Sequence, residues 1–213
     1  MLKCSASLWS ADLSNLAAEI RRVDDFTERY HLDVADGHYV PNLLFFPDLV
    51  KALRKHTTKP FEVHLMMTDP WDWIEPFIEA GADGIILCFD RLRDVLGSIN
   101  HARSLAKFVG VSLLVTEPPR FLNLWWTSID QVTLVGTPMG TKGTSMDPSI
   151  PDKIRETRAE IERKGARVEI QVDGGIRRDT VPLIKQAGAD WIVPGSLMFG
   201  EDPAAMRQWL AAL

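Results

Sequence analysis

Short apolar runs alternate along this chain with longer segments whose apolar residues recur every three or four positions. The first pattern belongs to buried strands and the second to helices packed on one face. Residues 2–9 read as a strand, followed by a helix with Leu13, Leu16, Ile20 and Val23 at helical spacing. Residues 30–34 form the second strand, and Pro47 opens a helix through Leu49, Val50 and Leu53. The apolar run 61–66 is the third strand. Asp69-Pro70 then supplies an N-cap and a proline at the first helical position. That helix is expected to reach Ala80 and stop at Gly81 in a left-handed cap, with Pro76 kinking or breaking it.

Strand and helix continue to alternate. Strands are expected at 84–88, 108–115, 131–135, 168–172 and 191–194, with helices around 92–106, 147–165, 181–187 and from Asp202-Pro203 onward. The segment 118–126 reads as a short or irregular helix, and 136–144 as a longer, glycine-rich loop. Ala80-Gly81-Ala82-Asp83 and Ala187-Gly188-Ala189-Asp190 repeat one helix-to-strand junction. Eight strand-then-helix units without a linker-like break predict a single α/β domain over 1–213, a (β/α)8 or TIM barrel. An open doubly wound sheet would carry a glycine fingerprint after its first strand, and Ser7-Leu8-Trp9-Ser10 is not one.

Composition narrows the function classes. The 213 residues are 46% hydrophobic and 25% charged with a net charge of −5, which suits a soluble globular protein and disfavours a nucleic-acid partner. No apolar run approaches the length of a membrane span, and the N-terminus lacks a signal-peptide pattern. Cys4 and Cys88 are too few and too scattered for a disulfide framework, so a reducing cytoplasm is the expected compartment.

The polar residues that interrupt the apolar runs carry the chemistry. His31 and Asp33 lie two apart on a strand and so share a face, with Leu32 and Val34 on the other. An imidazole and a carboxylate on a buried strand need a partner, either a metal ion or substrate, or hydrogen bonds within a core. That stretch alone leaves both readings open. In a barrel of this kind chemistry gathers at the C-terminal ends of the strands, where Ser7, His31, Asp33, His64, Cys88, Asp90, Asp173, Gly195 and Ser196 fall. Taken singly, His64 is most simply a core histidine and Asp173 a loop or capping residue. Together, two histidines and two aspartates on one rim suit a divalent zinc, iron, manganese or cobalt ion. Gly174-Gly175 and Gly195-Ser196 follow the last two strands, where such barrels often hold phosphate on backbone N–H groups. His38 lies on a loop near this site. His56, His101 and the charged run 155–164 read as solvated, and Trp125-Trp126 as core or subunit contact.

These motifs resemble the ribulose-phosphate 3-epimerases. His31 through Asn42 is similar to the family's His-x-Asp-x-Met-Asp-Gly-x-Phe-Val-Pro-Asn. His64-Leu65-Met66, the run Val172 to Gly175, Gly195-Ser196 and Ser7-Leu8-Trp9-Ser10-Ala11-Asp12 match further family motifs in the same order. The resemblance implies a barrel of the ribulose-phosphate-binding type and one divalent metal ion held by His31, Asp33, His64 and Asp173. It implies Asp33 and Asp173 as the acid/base pair for C3 inversion of a ketose phosphate such as D-ribulose 5-phosphate, through an enediolate. Ser7, His64, Met66, Gly140, Lys142, Gly174, Gly175, Gly195 and Ser196 would bind the substrate. A homo-oligomer is expected too, with no nucleic-acid or membrane partner. Epimerases of a tetrulose or hexulose phosphate, an aldose–ketose isomerase or lyase, and a non-catalytic phosphosugar-binding barrel are the alternatives.

The departures fall in the recognition shell. Ala35 stands at the family's motif methionine and Leu134 at another, which predicts a roomier pocket. Pro138-Met139-Gly140-Thr141-Lys142-Gly143 replaces the family's Pro-Gly-Phe-Gly-Gly-Gln, so either Lys142 adds charge to phosphate binding or the loop recognises something different. Phe46 stands for a glycine, and Cys88 and Asp90 for histidine and glutamate.

Overall fold

Strand β1 (Lys3–Ser7) hydrogen-bonds to β2 (Arg29–Asp36) on one side and to the last strand on the other, so the sheet closes on itself. The computed structural model describes residues 2–213. Around the ring follow β4 (Phe61–Met66), β5 (Gly84–Cys88), β6 (Phe108–Leu113), β7 (Gln131–Val135), β8 (Glu169–Asp173) and β9 (Trp191–Val193), every neighbouring pair parallel. The short β3 (Leu43–Leu44) runs antiparallel to the end of β2, pairing Leu44 with Ala35 and Leu43 with Asp36. Outside the ring lie α1 (Leu16–Val23), α2 (Pro47–Arg54), α3 (Ile74–Glu79), α4 (Val95–Leu105), α5 (Ile150–Arg163), α6 (Val181–Ala187), α7 (Ser196–Phe199) and α8 (Pro203–Ala212).

The period-2 alternation of the strands builds two different layers. Leu32, Val34, Val63, Leu65, Ile85, Leu87, Val109, Val111, Ile170 and Val172 join the apolar faces of the helices in one continuous core. The alternate residues point into the barrel, and many are polar. In its lower half Gln131 Nε2 donates to Gln171 Oε1 at 2.9 Å, and Thr133 Oγ1 donates to the same oxygen at 2.8 Å. Fully buried polar groups of this kind are tolerable because they satisfy one another.

Several boundaries move for local reasons. Helix α1 starts at Leu16 because the Asp12 carboxylate accepts from the Ser14 N–H at 2.9 Å and its hydroxyl at 2.6 Å, holding a turn that leaves Leu13 exposed. Asp147 does the same with the Ser149 N–H at 2.9 Å, delaying α5 to Ile150. After Asp69-Pro70 comes a 3₁₀ turn, Trp71–Trp73, before α3. Pro76 then falls in the first turn of α3, where an N–H has no partner within the helix, and this absorbs the expected break without a mid-helix kink. Gly81 (φ +106°) and Gly188 (φ +102°) both take the left-handed conformation at the repeated junction.

Candidate active site

Parallel register brings the rim residues together. Ser7 lies opposite His31 across β1–β2, and Asp33 opposite His64 across β2–β4, while Asp173 ends β8. One ligand atom from each of His31, Asp33, His64 and Asp173 lies within 4.8 Å of all the others. His31 Nε2 is 3.3 Å from Asp33 Oδ1 and 3.7 Å from Asp173 Oδ2. His64 Nδ1 is 3.9 Å from each of the same two oxygens. Both histidines are fully buried, and these two ring nitrogens have no hydrogen-bond partner. Leaving such atoms unpaired is costly. Two inward-facing nitrogens and two carboxylate oxygens form a donor set that fits a divalent transition-metal ion.

The remaining atoms of the cluster are anchored. His31 Nδ1 donates to Glu62 Oε1 at 2.9 Å, His64 Nε2 lies 2.9 Å from Ser112 Oγ, and Ser7 Oγ donates to Asp33 Oδ2 at 2.9 Å. These surroundings drive the two carboxylates apart. Burial pushes Asp173 up to about 7, with the charges of Asp33 and Glu62 adding to it against His31. Burial also acts to raise Asp33, but His31, His64 and the Ser7 hydroxyl outweigh it and bring Asp33 below its ordinary value. Burial opposes charge on His31 too, yet Asp33, Glu62 and Asp173 raise it well above the usual imidazole value. His64 is lowered to about 4, first by burial and then by the charge of His31. In the metal-free cluster one ionised carboxylate thus sits beside one that holds a proton near neutrality.

A cleft of about 700 Å³, counting its open mouth, lies over the cluster. Ser7, Met66, Gly140, Lys142, Gly174, Gly175, Gly195 and Ser196 line it together with Asp33 and Asp173. His31 and His64 lie beneath, fully buried. Gly174 (φ +97°) and Gly175 (φ +69°) have no room for a side chain: a Cβ would come 2.6 Å from Thr137 Oγ1 at the first and 2.5 Å from Met146 N at the second. The loop 136–144 crosses toward β1 and β2. Lys142 Nζ donates to the Trp9 carbonyl at 2.9 Å, and a Cβ on Gly140 would meet Val40 Cβ at 2.6 Å.

Ala35 is 5% exposed and clusters with Val40, Met66 and Cys88, and Met139 from the loop and Tyr39 pack against this group. Cys88 Sγ lies 3.5 Å from His64 Nε2, and Asp90 accepts from the Tyr39 hydroxyl at 2.9 Å, tying the loops after β2 and β5 together. Asp36 serves its loop instead of the cluster, accepting from the backbone N–H of His38, Tyr39 and Thr68 at 2.8–2.9 Å. His56 and His101 lie away from the site as expected, though half-buried: His101 stacks on Trp71 with centroids 4.5 Å apart. Trp126 is core, at 1% exposure.

The residue pattern did not single out Glu62, Arg29, Ser112, Trp9, Thr137, Met139 or Arg177. Glu62 had a signal, since it shares a strand face with His64 and Met66. Arg177, whose guanidinium donates to the Gly143 carbonyl at 2.6 Å, reaches the cleft from a loop with no periodicity to read.

The comparisons with known proteins agree with this geometry. The model of the ribulose-phosphate 3 epimerase family matches residues 3–199. A ribulose-phosphate 3-epimerase of Bacillus subtilis (strain 168) is 33% identical over 203 residues, covering 94% of this chain and 94% of its own. One from Chlamydia pneumoniae is 32% identical over 210 residues (97% and 92%), and one from Treponema pallidum (strain Nichols) 36% over 194 (91% and 89%). Among solved structures, a 3-hexulose-6-phosphate synthase superposes with TM-score 0.70 at 19% identity, covering 99% of each chain. Orotidine 5'-phosphate decarboxylase from Pyrococcus horikoshii OT3 does so with TM-score 0.71 at 16% identity, covering 97% of this chain and 96% of that one. Those two share the barrel alone. With a family match over nearly its whole length, and with His31, Asp33, His64 and Asp173 converging on one rim, the chain belongs to the ribulose-phosphate 3-epimerase family.

Proposed function

We propose that this protein inverts C3 of a ketose phosphate, with D-ribulose 5-phosphate and D-xylulose 5-phosphate as the substrate pair. The observation that carries this reading is the convergence of two carboxylates from different strands, Asp33 and Asp173, with His31 and His64 on one cluster beneath the cleft. The proton alpha to a ketone is weakly acidic, and inversion needs one group to remove it and another to return one to the opposite face. Asp33, on β2 and held by Ser7 Oγ, and Asp173, at the end of β8, reach the cluster from different strands of the ring, which suits one to take the proton and the other to return one. The roles exchange in the reverse direction.

His31, Asp33, His64 and Asp173 would hold a zinc, iron, manganese or cobalt ion, which when bound acts as a Lewis acid on developing oxyanion charge. Met66 and Met139 give the cleft an apolar wall that keeps water from the enediolate. Backbone N–H groups of Gly174, Gly175, Gly195 and Ser196 line the phosphate end, where Lys142 adds a cation. Self-association fits the exposure of Leu43 (82%) and Phe46 (58%) near one another in sequence, and two unpaired buried thiols suit a reducing cytoplasm. No helix among the described residues is long and apolar enough to cross a membrane.

The test is a metal-reconstituted assay in deuterium oxide against pentulose, tetrulose and hexulose phosphates. Deuterium entering at C3 with the carbonyl left at C2 is the expected result. A carbonyl that moves to C1 would identify an isomerase, and no exchange with any of them would remove the enzyme reading. Asp173→Asn should lower kcat by at least about 10²-fold, since an amide cannot return the proton.

A further inference from the structure

Beneath the cluster lies a third carboxylate that the reaction does not use. Glu62 is fully buried, and every approach to it is occupied. Its Oε1 accepts from Ser5 Oγ at 2.5 Å, Gln171 Nε2 at 2.6 Å and His31 Nδ1 at 2.9 Å. Its Oε2 faces Arg29 Nε at 3.1 Å and Gln131 Nε2 at 3.5 Å. Arg29 is itself fixed, with its guanidinium 3.5 Å from the centre of the Trp191 ring and Nη2 donating to Gln131 Oε1 at 2.5 Å.

We infer that Glu62, clamped by Arg29, Ser5 and Gln171, is a positioning residue that commits His31 to present Nε2 to a divalent ion. A carboxylate only accepts, so the ring nitrogen facing it must carry the proton. With Nδ1 committed to Glu62, the one lone pair of a neutral His31 ring lies on Nε2, the atom aimed at Asp33 and Asp173. The same contact fixes the plane of the ring. His64 is held differently, because Ser112 Oγ can donate or accept and so does not dictate which nitrogen bears the proton.

Only a carboxylate satisfies this nest. A glutamine at 62 would turn its N–H₂ either toward Ser5, Gln171 and His31, or toward the Arg29 guanidinium. Gln171 cannot simply flip to compensate, since its Oε1 already accepts from Gln131 and Thr133. An isosteric change that removes the charge should therefore disturb His31 before it disturbs the barrel.

The inference rests on the metal reading of the cluster, and zinc alone tests both separately. The 213-residue chain, stripped of metal, is titrated with Zn²⁺ against a chromophoric chelator, and the ¹⁵N-labelled zinc-loaded protein is examined by ¹H–¹⁵N correlation of its histidine rings. The native chain should bind one equivalent and show a slowly exchanging Nδ1 proton on His31. Glu62→Gln should weaken zinc binding about 10- to 100-fold and lose that slow proton, whereas Ser112→Ala should weaken binding less. A native chain that binds no zinc overturns the metal reading and this inference with it. Native binding with an unchanged Glu62→Gln affinity and an unchanged Nδ1 proton overturns the inference alone. If Glu62→Gln does not fold by circular dichroism, Ser5→Ala takes its place: a smaller loss in the same direction supports the inference, and unchanged affinity and proton exchange overturn it.

Discussion

Asp173 and His31 both carry protons that a metal ion must displace. Burial raises the Asp173 carboxyl to about 7, so in the metal-free protein it stays protonated over the acidic range where a free carboxylate would already be ionised. His31 lies well above the ordinary imidazole value once its anionic neighbours overcome the effect of burial. Metal affinity should therefore rise with pH, by at least about tenfold per unit below 7, and binding should release protons. Calorimetry in buffers of different ionisation enthalpy measures both, and an affinity flat between pH 5.5 and 7 would contradict these protonation states. At the phosphate end, Lys142→Met should raise KM about tenfold with kcat little changed, since a cation on a group remote from C3 contributes the same binding before and during proton transfer. Steady-state kinetics on the phosphorylated substrate checks it. The four rim residues were legible in the sequence because each is a polar residue within or at the end of an apolar strand, where a period of two fixes the face and the barrel fixes which end carries chemistry. Glu62 was harder to read: a single acid in Phe61-Glu62-Val63-His64 declares its face but not its partners, which come from β1, β2, β7 and β8. Met139 and Arg177 were illegible, because their place depends on how loops cross a mouth built by distant strands.

The elements follow the apolar periodicity closely, and their ends follow capping chemistry. β5, β7 and α6 coincide with the expected segments, whereas β1 and β6 stop earlier than their apolar runs. Apolar residues just beyond a strand still pack inward, so periodicity alone does not mark where the ladder ends. Helix α4 shows what does set a boundary. Asp94 accepts from the Gly97 N–H at 2.9 Å, and the cap fits because a Cβ at 97 would lie 2.2 Å from Asp94 Oδ2. Asp94→Ala should destabilise the protein by about 1 kcal/mol without altering substrate turnover, as measured by urea denaturation and a paired rate assay.

At the scale of the whole molecule, closure of β1 on β2 leaves the parallel ring without an open edge and sets Ser7, Asp33 and Asp173 around one mouth. The same closure shuts the two cysteines away. Cys4 and Cys88 have no exposed surface, and burial pushes both thiols up to about 12. Cys4 lies on β1, in the seam where β1 meets β9, and Cys88 ends β5 beside His64. A thiol reagent at pH 8 should consequently label neither site in the folded protein faster than the chain opens, and both at once in guanidinium. Rapid labelling of either cysteine under native conditions would contradict this closed packing. The chain thus carries two unlabelled clocks, one at the seam of the ring and one beside the chemistry, and comparing their rates would tell whether the barrel comes apart at its join or all together.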